Sequence, residues 1–199
     1  MYLCSKLNYI VMHVLPKQII DRVSIKNIKE NFGHDLGGFF CDIHFDKKKI
    51  GYFNNDGWGG IPDVNLYSFD KADKDRMMSF ENFLTEQNFA QFIADDYNKP
   101  HPNMVTTKTD WKASNFDFET QVEFLCERLN FLKMIEKKQK KAILFGNPRG
   151  GSYTEVAFKI DIETIKEKHL GILRAKILEI KSKLNKDECI FNTNLQELL

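Results

Sequence analysis

Residues 39–46 read FFCDIHFD, and this stretch decides the fold: Phe39, Cys41, Ile43 and Phe45 alternate with Phe40, Asp42, His44 and Asp46. A period of two marks a strand with one face buried and the other turned to solvent. The polar run Asp46 to Lys49 turns the chain, and Ile50 to Asn54 reads as the returning strand. Beyond the glycine-rich stretch NNDGWGG at 54–60, a third strand from about Val64 to Phe69 completes an antiparallel meander.

Working outward, residues 17–32 (KQIIDRVSIKNIKENF) place Ile19, Ile20, Val23, Ile28 and Phe32 at spacings that predict a short amphipathic helix ended by Gly33. From Asp70 the period turns helical through Met77, Phe80, Phe83, Leu84, Phe89, Phe92 and Ile93, with Asp73 or Ser79 as caps. One helix or two short ones should end near Tyr97, and Pro100 and Pro102 forbid continuation. Residues 98–115 lack a period and read as a surface loop anchored by Trp111. Phe118, Val122, Leu125, Leu129, Leu132 and Ile135 form the next helical face, capped by Ser114 or Asn115 and closing in the basic run 137–141. A second hairpin joins Ala142–Phe145 to Tyr153–Ile160 through GNPRGGS at 146–152. Asp161 then caps a last helix that Gly171 weakens, and a short strand or helical turn is expected around CIF at 189–191. The expected class is α+β: an antiparallel sheet from two hairpins, with three long helices packed mainly on one face.

A chain of 199 residues, 42% hydrophobic and 29% charged, builds a globular core and lies far from the composition of disorder. It reads as one domain over 1–199, with 98–115 as the place where it would subdivide. Seventeen phenylalanines against two tryptophans predict an aromatic core. Cys4, Cys41, Cys126 and Cys189 form no C-x-x-C pair, so neither a zinc site, another metal site nor a redox motif is expected, and no cofactor is implied. The apolar run from Tyr9 to Leu15 is too short to cross a membrane and no cleavage site follows it, which makes the cytoplasm the expected compartment. Charge is uneven: residues 54–127 carry 6 basic and 14 acidic side chains, and residues 128–186 carry 15 and 6. An acidic and a basic surface would follow, although lysines on solvated helix faces account for the same counts.

Three constellations could carry chemistry. In the first loop Asn55, Asp56, Gly57, Trp58, Gly59 and Gly60 combine glycines able to turn amides inward as an anion nest with an indole able to stack on a ring. Asn-Asp-Gly is equally what a tight hairpin demands with no ligand at all. In the second loop Arg149 stands beside Gly150 and Gly151, a pairing suited to a phosphate or carboxylate and also to an ordinary β-turn. Asp42, His44 and Asp46, with His34 and Asp35 close in sequence, offer a general base or hydrolytic site. Solvated polar residues opposite a buried face explain them as well. Nothing matches a P-loop, a dinucleotide fingerprint, a nucleophile elbow or a zinc-protease helix. The lysines at 137–141 and 166–183 lack the interleaved aromatics of a single-strand binder, so nucleic acid is not the expected partner.

The run from Gly38 to Phe69, a strand leading into N-D-G-W-G-G and then a further strand, resembles uncharacterised small proteins of bacteriophages and mobile elements. The resemblance implies a viral or mobile-element origin, hence a host cytoplasm, and carries no activity to any residue. The leading expectation is a non-enzymatic interaction protein, a phage accessory or inhibitor protein that binds a host protein or protein complex. The alternatives are a binder of a nucleotide or other phosphate-containing small molecule at the two glycine loops, and a hydrolase built on Asp42, His44 and Asp46.

Overall fold

The computed structural model describes residues 15–31, 38–58, 61–99, 110–147, 153–185 and 188–199. They fall into two compact units, residues 15–130 and residues 131–199. Each holds its own antiparallel sheet with helices, so the α+β class stands. The two hairpins, however, belong to two sheets rather than one.

The first unit runs through helix α1 (Lys17–Arg22), strands β1 (Val23–Asn31), β2 (Gly38–Phe45), β3 (Lys48–Asn55) and β4 (Asp63–Leu66), helices α2 (Lys71–Glu86) and α3 (Phe89–Asn98), and the first half of α4 (Phe118–Lys138). Its sheet has the order β1-β2-β3-β4. The helix expected over 17–32 stops at Arg22. From Val23 the alternation of Val23 and Ile25 with Ser24 and Lys26 takes over, because those β-branched side chains pair with Phe45 and Ile43 and are buried on the core face of β2. The register then slips, since Lys26 pairs with Asp42 but Lys29 with Phe40, leaving Asn27 and Ile28 opposite one residue. Asn27 takes the left-handed φ of 51° that such a bulge needs, a conformation Asn tolerates better than most side chains.

The core face of β2 is covered as its alternation demands. Phe45 lies 5.3 Å from the rings of both Phe80 and Phe83 of α2, and Cys41 meets Cys126 of α4. Asp70 caps α2, accepting from the Asp73 amide at 2.7 Å. A left-handed Asn88 separates α2 from α3. The cap of α4 is Asp117 rather than Ser114 or Asn115: its carboxylate accepts from the Thr120 amide at 2.8 Å and the Thr120 hydroxyl at 2.7 Å. Ser114 and Asn115 sit instead in a 3-10 turn, Ala113–Asn115.

The second unit contains the end of α4, strands β5 (Ala142–Gly146) and β6 (Thr154–Ala157), helix α5 (Ile162–Lys183), strand β7 (Cys189–Ile190) and a 3-10 helix, Thr193–Leu198. The sheet order is β6-β5-β7. Here helices cover both faces. Ile143 packs among Ile162, Leu173 and Ile177 of α5, while Ala142 and Leu144 pack with Ile135 of α4 and Phe191. Where β7 is too short to pair further, the buried Asn192 side chain continues the ladder, accepting from the Leu144 amide at 2.7 Å and donating to the Ala142 carbonyl at 2.8 Å. Helix α5 does bend, at His169 (φ −140°, ψ 39°), two residues before Gly171.

Two glycines hold the first unit's sheet by close approach. A Cβ on Gly51 would overlap the Asn65 carbonyl oxygen and come within 2.8 Å of the Leu66 Cα. A Cβ on Gly38 would overlap backbone atoms of Asn55 and Gly57. Gly171 differs, with nothing within 4 Å of its missing Cβ. Gly51→Ala should therefore lower the unfolding free energy by roughly 2–3 kcal/mol. Gly171→Ala should raise it by about 0.5–1 kcal/mol, as glycine-to-alanine does in an open helical position. Urea denaturation of the two variants checks both signs.

Candidate functional site

The three residues read as a hydrolytic constellation do not converge. Asp42 and His44 point away from the core face of β2, but Asp46 sits in the two-residue turn to β3, where Asp46 and Lys47 both take positive φ (47° and 67°) as a mirror-type hairpin turn requires. Asp46 is gripped there by the guanidinium fork of Arg22, from Nε to Oδ1 at 2.8 Å and from Nη2 to Oδ2 at 2.5 Å. Those hydrogen bonds hold its carboxyl below the usual range against a small opposing effect of burial. Arg22 also lies over the rings of Phe45 and Phe83, 4.6 and 4.4 Å from their centroids. The Asp46 carboxylate thus fastens the end of α1 to the hairpin.

Asp42 is not the solvated residue that alternation suggested, since its side chain keeps only 9% of its surface exposed. The bulge explains why: Asn27 Nδ2 reaches back to Asp42 Oδ2 at 2.6 Å, and Lys49 Nζ closes on Oδ1 at 2.7 Å from the neighbouring strand. Burial pushes the Asp42 carboxyl up, yet the hydrogen bonds from Lys49 and Asn27 outweigh it and leave it below the usual range. Lys49 is raised in turn by Asp42 and then by Tyr67, whose ring centroid lies 5.4 Å from its Nζ. Phe40 and Tyr52 stack at 5.6 Å on the same face of the sheet. His44 Nδ1 is buried without a hydrogen-bond partner among the described residues. Among the described residues the arrangement is a satisfied carboxylate beside an imidazole, with no third group aligned on the pair.

The first glycine loop is shaped by its own side chains. The Gly57 amide, at φ 75°, donates to Asn55 Oδ1 at 2.9 Å, and the Trp58 amide donates to Asp56 Oδ1 at 2.9 Å. Two amides of the expected anion nest are already bonded, one of them to a carboxylate that would repel a phosphate. What the loop presents is apolar: Trp58 is 65% exposed and Ile61 98%. Gly59, Gly60, Arg149, Gly150, Gly151, His34 and Asp35 lie outside the described residues.

Sequence reasoning missed a cavity. Between α3 and α4, a partly open pocket of about 80 Å³ is lined by Ile93, Tyr97, Phe116, Phe124, Glu123 and Glu127 among others, with Tyr97 54% exposed at its rim. Tyr97 lies 5.5 Å from Phe116 and 6.3 Å from Phe124, and Trp111 packs on Tyr97 and Phe116 at 5.5 and 5.6 Å. Asn98 anchors this Trp, as its side chain donates to the Trp111 carbonyl at 2.7 Å and accepts from the Trp111 amide at 2.8 Å. The available signal was the four-residue spacing of Glu123 and Glu127 around Phe124. Among the described residues no group of three or more His, Cys, Asp or Glu converges as metal ligands would, and no helix is long and apolar enough to cross a membrane. Cys41 and Cys126 are both fully buried, and burial followed by the neighbouring Cys41 pushes the Cys126 thiol up, so they pack as apolar groups.

The two aspartates of the hairpin should differ in weight. Asp42→Ala removes the partner of Lys49 and Asn27 and should cost about 1–3 kcal/mol. Asp46→Ala breaks a half-exposed pair and should cost less than about 1 kcal/mol. Both carboxyls are depressed in the fold, so their contribution is complete above the unfolded value of about 4 and fades as pH drops through the lower folded one. Denaturation from neutral pH to about pH 2 should show the gap between Asp42→Ala and the parent closing on the acid side; a gap that stays constant would mean the charge is not what stabilises.

The chain finds no match among protein-family models, characterised proteins or solved structures, so its function is argued from its own side chains.

Proposed function

We propose that this chain is a non-enzymatic interaction protein that receives an extended segment of a partner protein along strand β4. The observation that carries the reading is the contrast between the two edges of the first unit's sheet. Edge strand β1 is blunted by its bulge at Asn27 and by Lys26 and Lys29, the devices that keep a sheet edge from pairing. Edge strand β4 has neither lysine nor bulge. Large exposed apolar side chains flank it instead: Trp58 and Ile61 before it and Phe69, 85% exposed, after it.

The outward hydrogen-bonding groups of β4 follow from its pairing. The Tyr67 amide donates to the Ile50 carbonyl at 2.7 Å, so by alternation the amides of Val64 and Leu66 face away from β3. A partner strand adding to this edge would gain affinity from main-chain bonds and place side chains on the flanking apolar residues. The segment Asn55 to Trp58 is preorganised for such a role by the Asn55 and Asp56 turns and by the Gly38 contact, which lowers the ordering cost of binding. The likeness of Gly38–Phe69 to phage and mobile-element proteins makes host proteins the first partners to screen.

Val64→Pro deletes an outward amide and spares the bonds to β3. It should weaken the captured partner at least about tenfold, as should Ile61→Asp, while the melting temperature and circular dichroism stay those of the parent. Affinity purification followed by titration of the purified partner reads the effect. Unchanged affinity in both variants would reject the edge as the binding surface.

A further inference from the structure

The cavity between α3 and α4 supports a second binding property, independent of β4. Glu123 and Glu127 stand four residues apart on α4, where like charges repel. Neither makes a hydrogen bond or an ion pair among the described residues. The neighbouring cations are drawn elsewhere: Arg128 Nη2 lies 3.0 Å from Asp96 with its guanidinium 4.9 Å from the Phe124 centroid, and Lys99 Nζ lies 3.5 Å from the same aspartate. Burial pushes the Glu123 carboxyl up, with the Asp117 charge adding to it. Glu127 is an exposed residue on the rim, where partial desolvation of its carboxyl and then the Glu123 charge push it up, against a smaller pull from Arg128.

Two carboxylates without an ion pair among the described residues thus border a space lined by the rings of Tyr97, Phe116 and Phe124. Aromatic faces attract cations, and most readily those whose hydration is weak enough to give up. A primary ammonium is compact and strongly hydrated, and ring faces offer it no lone pairs in exchange. An alkylated ammonium gives up less water. Size narrows the choice further, since about 80 Å³ lies far below the roughly 300 Å³ at which pockets for whole metabolites begin. The space suits a head group, with the rest of the ligand left outside it.

We propose that this cavity binds a small alkylated ammonium head group, held among the rings of Tyr97, Phe116 and Phe124 with Glu123 and Glu127 supplying the counter-charge. The head group belongs either to a free small molecule or to an alkylated lysine side chain, and the chemistry of recognition is the same.

The test is a titration of the full chain followed through the indole resonance of Trp111, which packs on two of the cavity's rings. Choline is the probe and 3,3-dimethylbutan-1-ol, its neutral isostere, the control. A saturable shift with choline is expected, with the isostere at least about tenfold weaker. Glu123→Gln combined with Glu127→Gln should abolish the shift while leaving the melting temperature unchanged. Blocked trimethyl-lysine, run alongside, identifies the source: tighter binding than choline supports a protein side chain, weaker binding a free amine. No shift with any probe, equal affinity for choline and its isostere, or full binding by the double variant would each overturn the proposal. Because β4 takes no part, the outcome is separate from that of the partner-strand reading.

Discussion

Backbone-to-backbone contact at two glycines is the constraint on which the first unit rests. At Gly51 the strand β4 lies so close to β3 that no side chain fits between them, and at Gly38 the start of β2 meets the main chain of Asn55 to Gly57 in the same way. Glycine costs conformational entropy in a strand, and the close approach it permits is what offsets that cost here. Its consequence is positional. The edge strand and the turn at Asn55 to Gly57 are fastened to the middle of the sheet, and the exposed Trp58 follows directly on that turn.

Much of this was legible in the alternation of FFCDIHFD. Phe39, Cys41, Ile43 and Phe45 went to the core because a strand has only two faces and the other carries Asp42 and His44. The helical faces of α4 and α5 were legible for the same reason, a period sustained over several turns. The strand Val23–Asn31 was not. Ile19, Ile20 and Val23 keep a helical spacing up to the point where Val23 and Ile25 begin to alternate, and only the presence of β2 as a partner decides between them. The two-sheet arrangement was hidden likewise, because alternation gives each strand a face without saying which strands share a sheet.

At the candidate sites, composition showed which groups were present but not how they were engaged. The glycines of the first loop suggested free amides, yet Asn55 and Asp56 close two of them by local turns that use the same residue types. Asp46 continued the strand's period on paper, but a hairpin turn claims the residue at its tip. The cavity by Tyr97 was invisible because it joins α3 to α4 across a stretch with no period. Of the aromatic side chains around it, Trp111 had been read as a loop anchor and Tyr97 as the end of a helix, and the phenylalanines only as part of an aromatic core.

The carboxylates of the first unit divide by environment, and the division bears on function. Asp42 and Asp46 are held ionised by donors aimed at them, a state suited to fastening strands and ill suited to a base that must take up and release a proton near neutral pH. Glu123 is pushed the other way by burial and the Asp117 charge, and Glu127 by desolvation of its carboxyl and the Glu123 charge, with no ion pair to either among the described residues. Perturbation by a designed partner marks structure, whereas perturbation by the lack of one leaves interaction free energy available to a ligand that brings the missing charge. By that criterion, among the described residues, Asp42 and Asp46 are engaged in holding the sheet together, whereas Glu123 and Glu127 beside Tyr97, like His44 Nδ1 on β2, have bonding capacity that the described fold does not use.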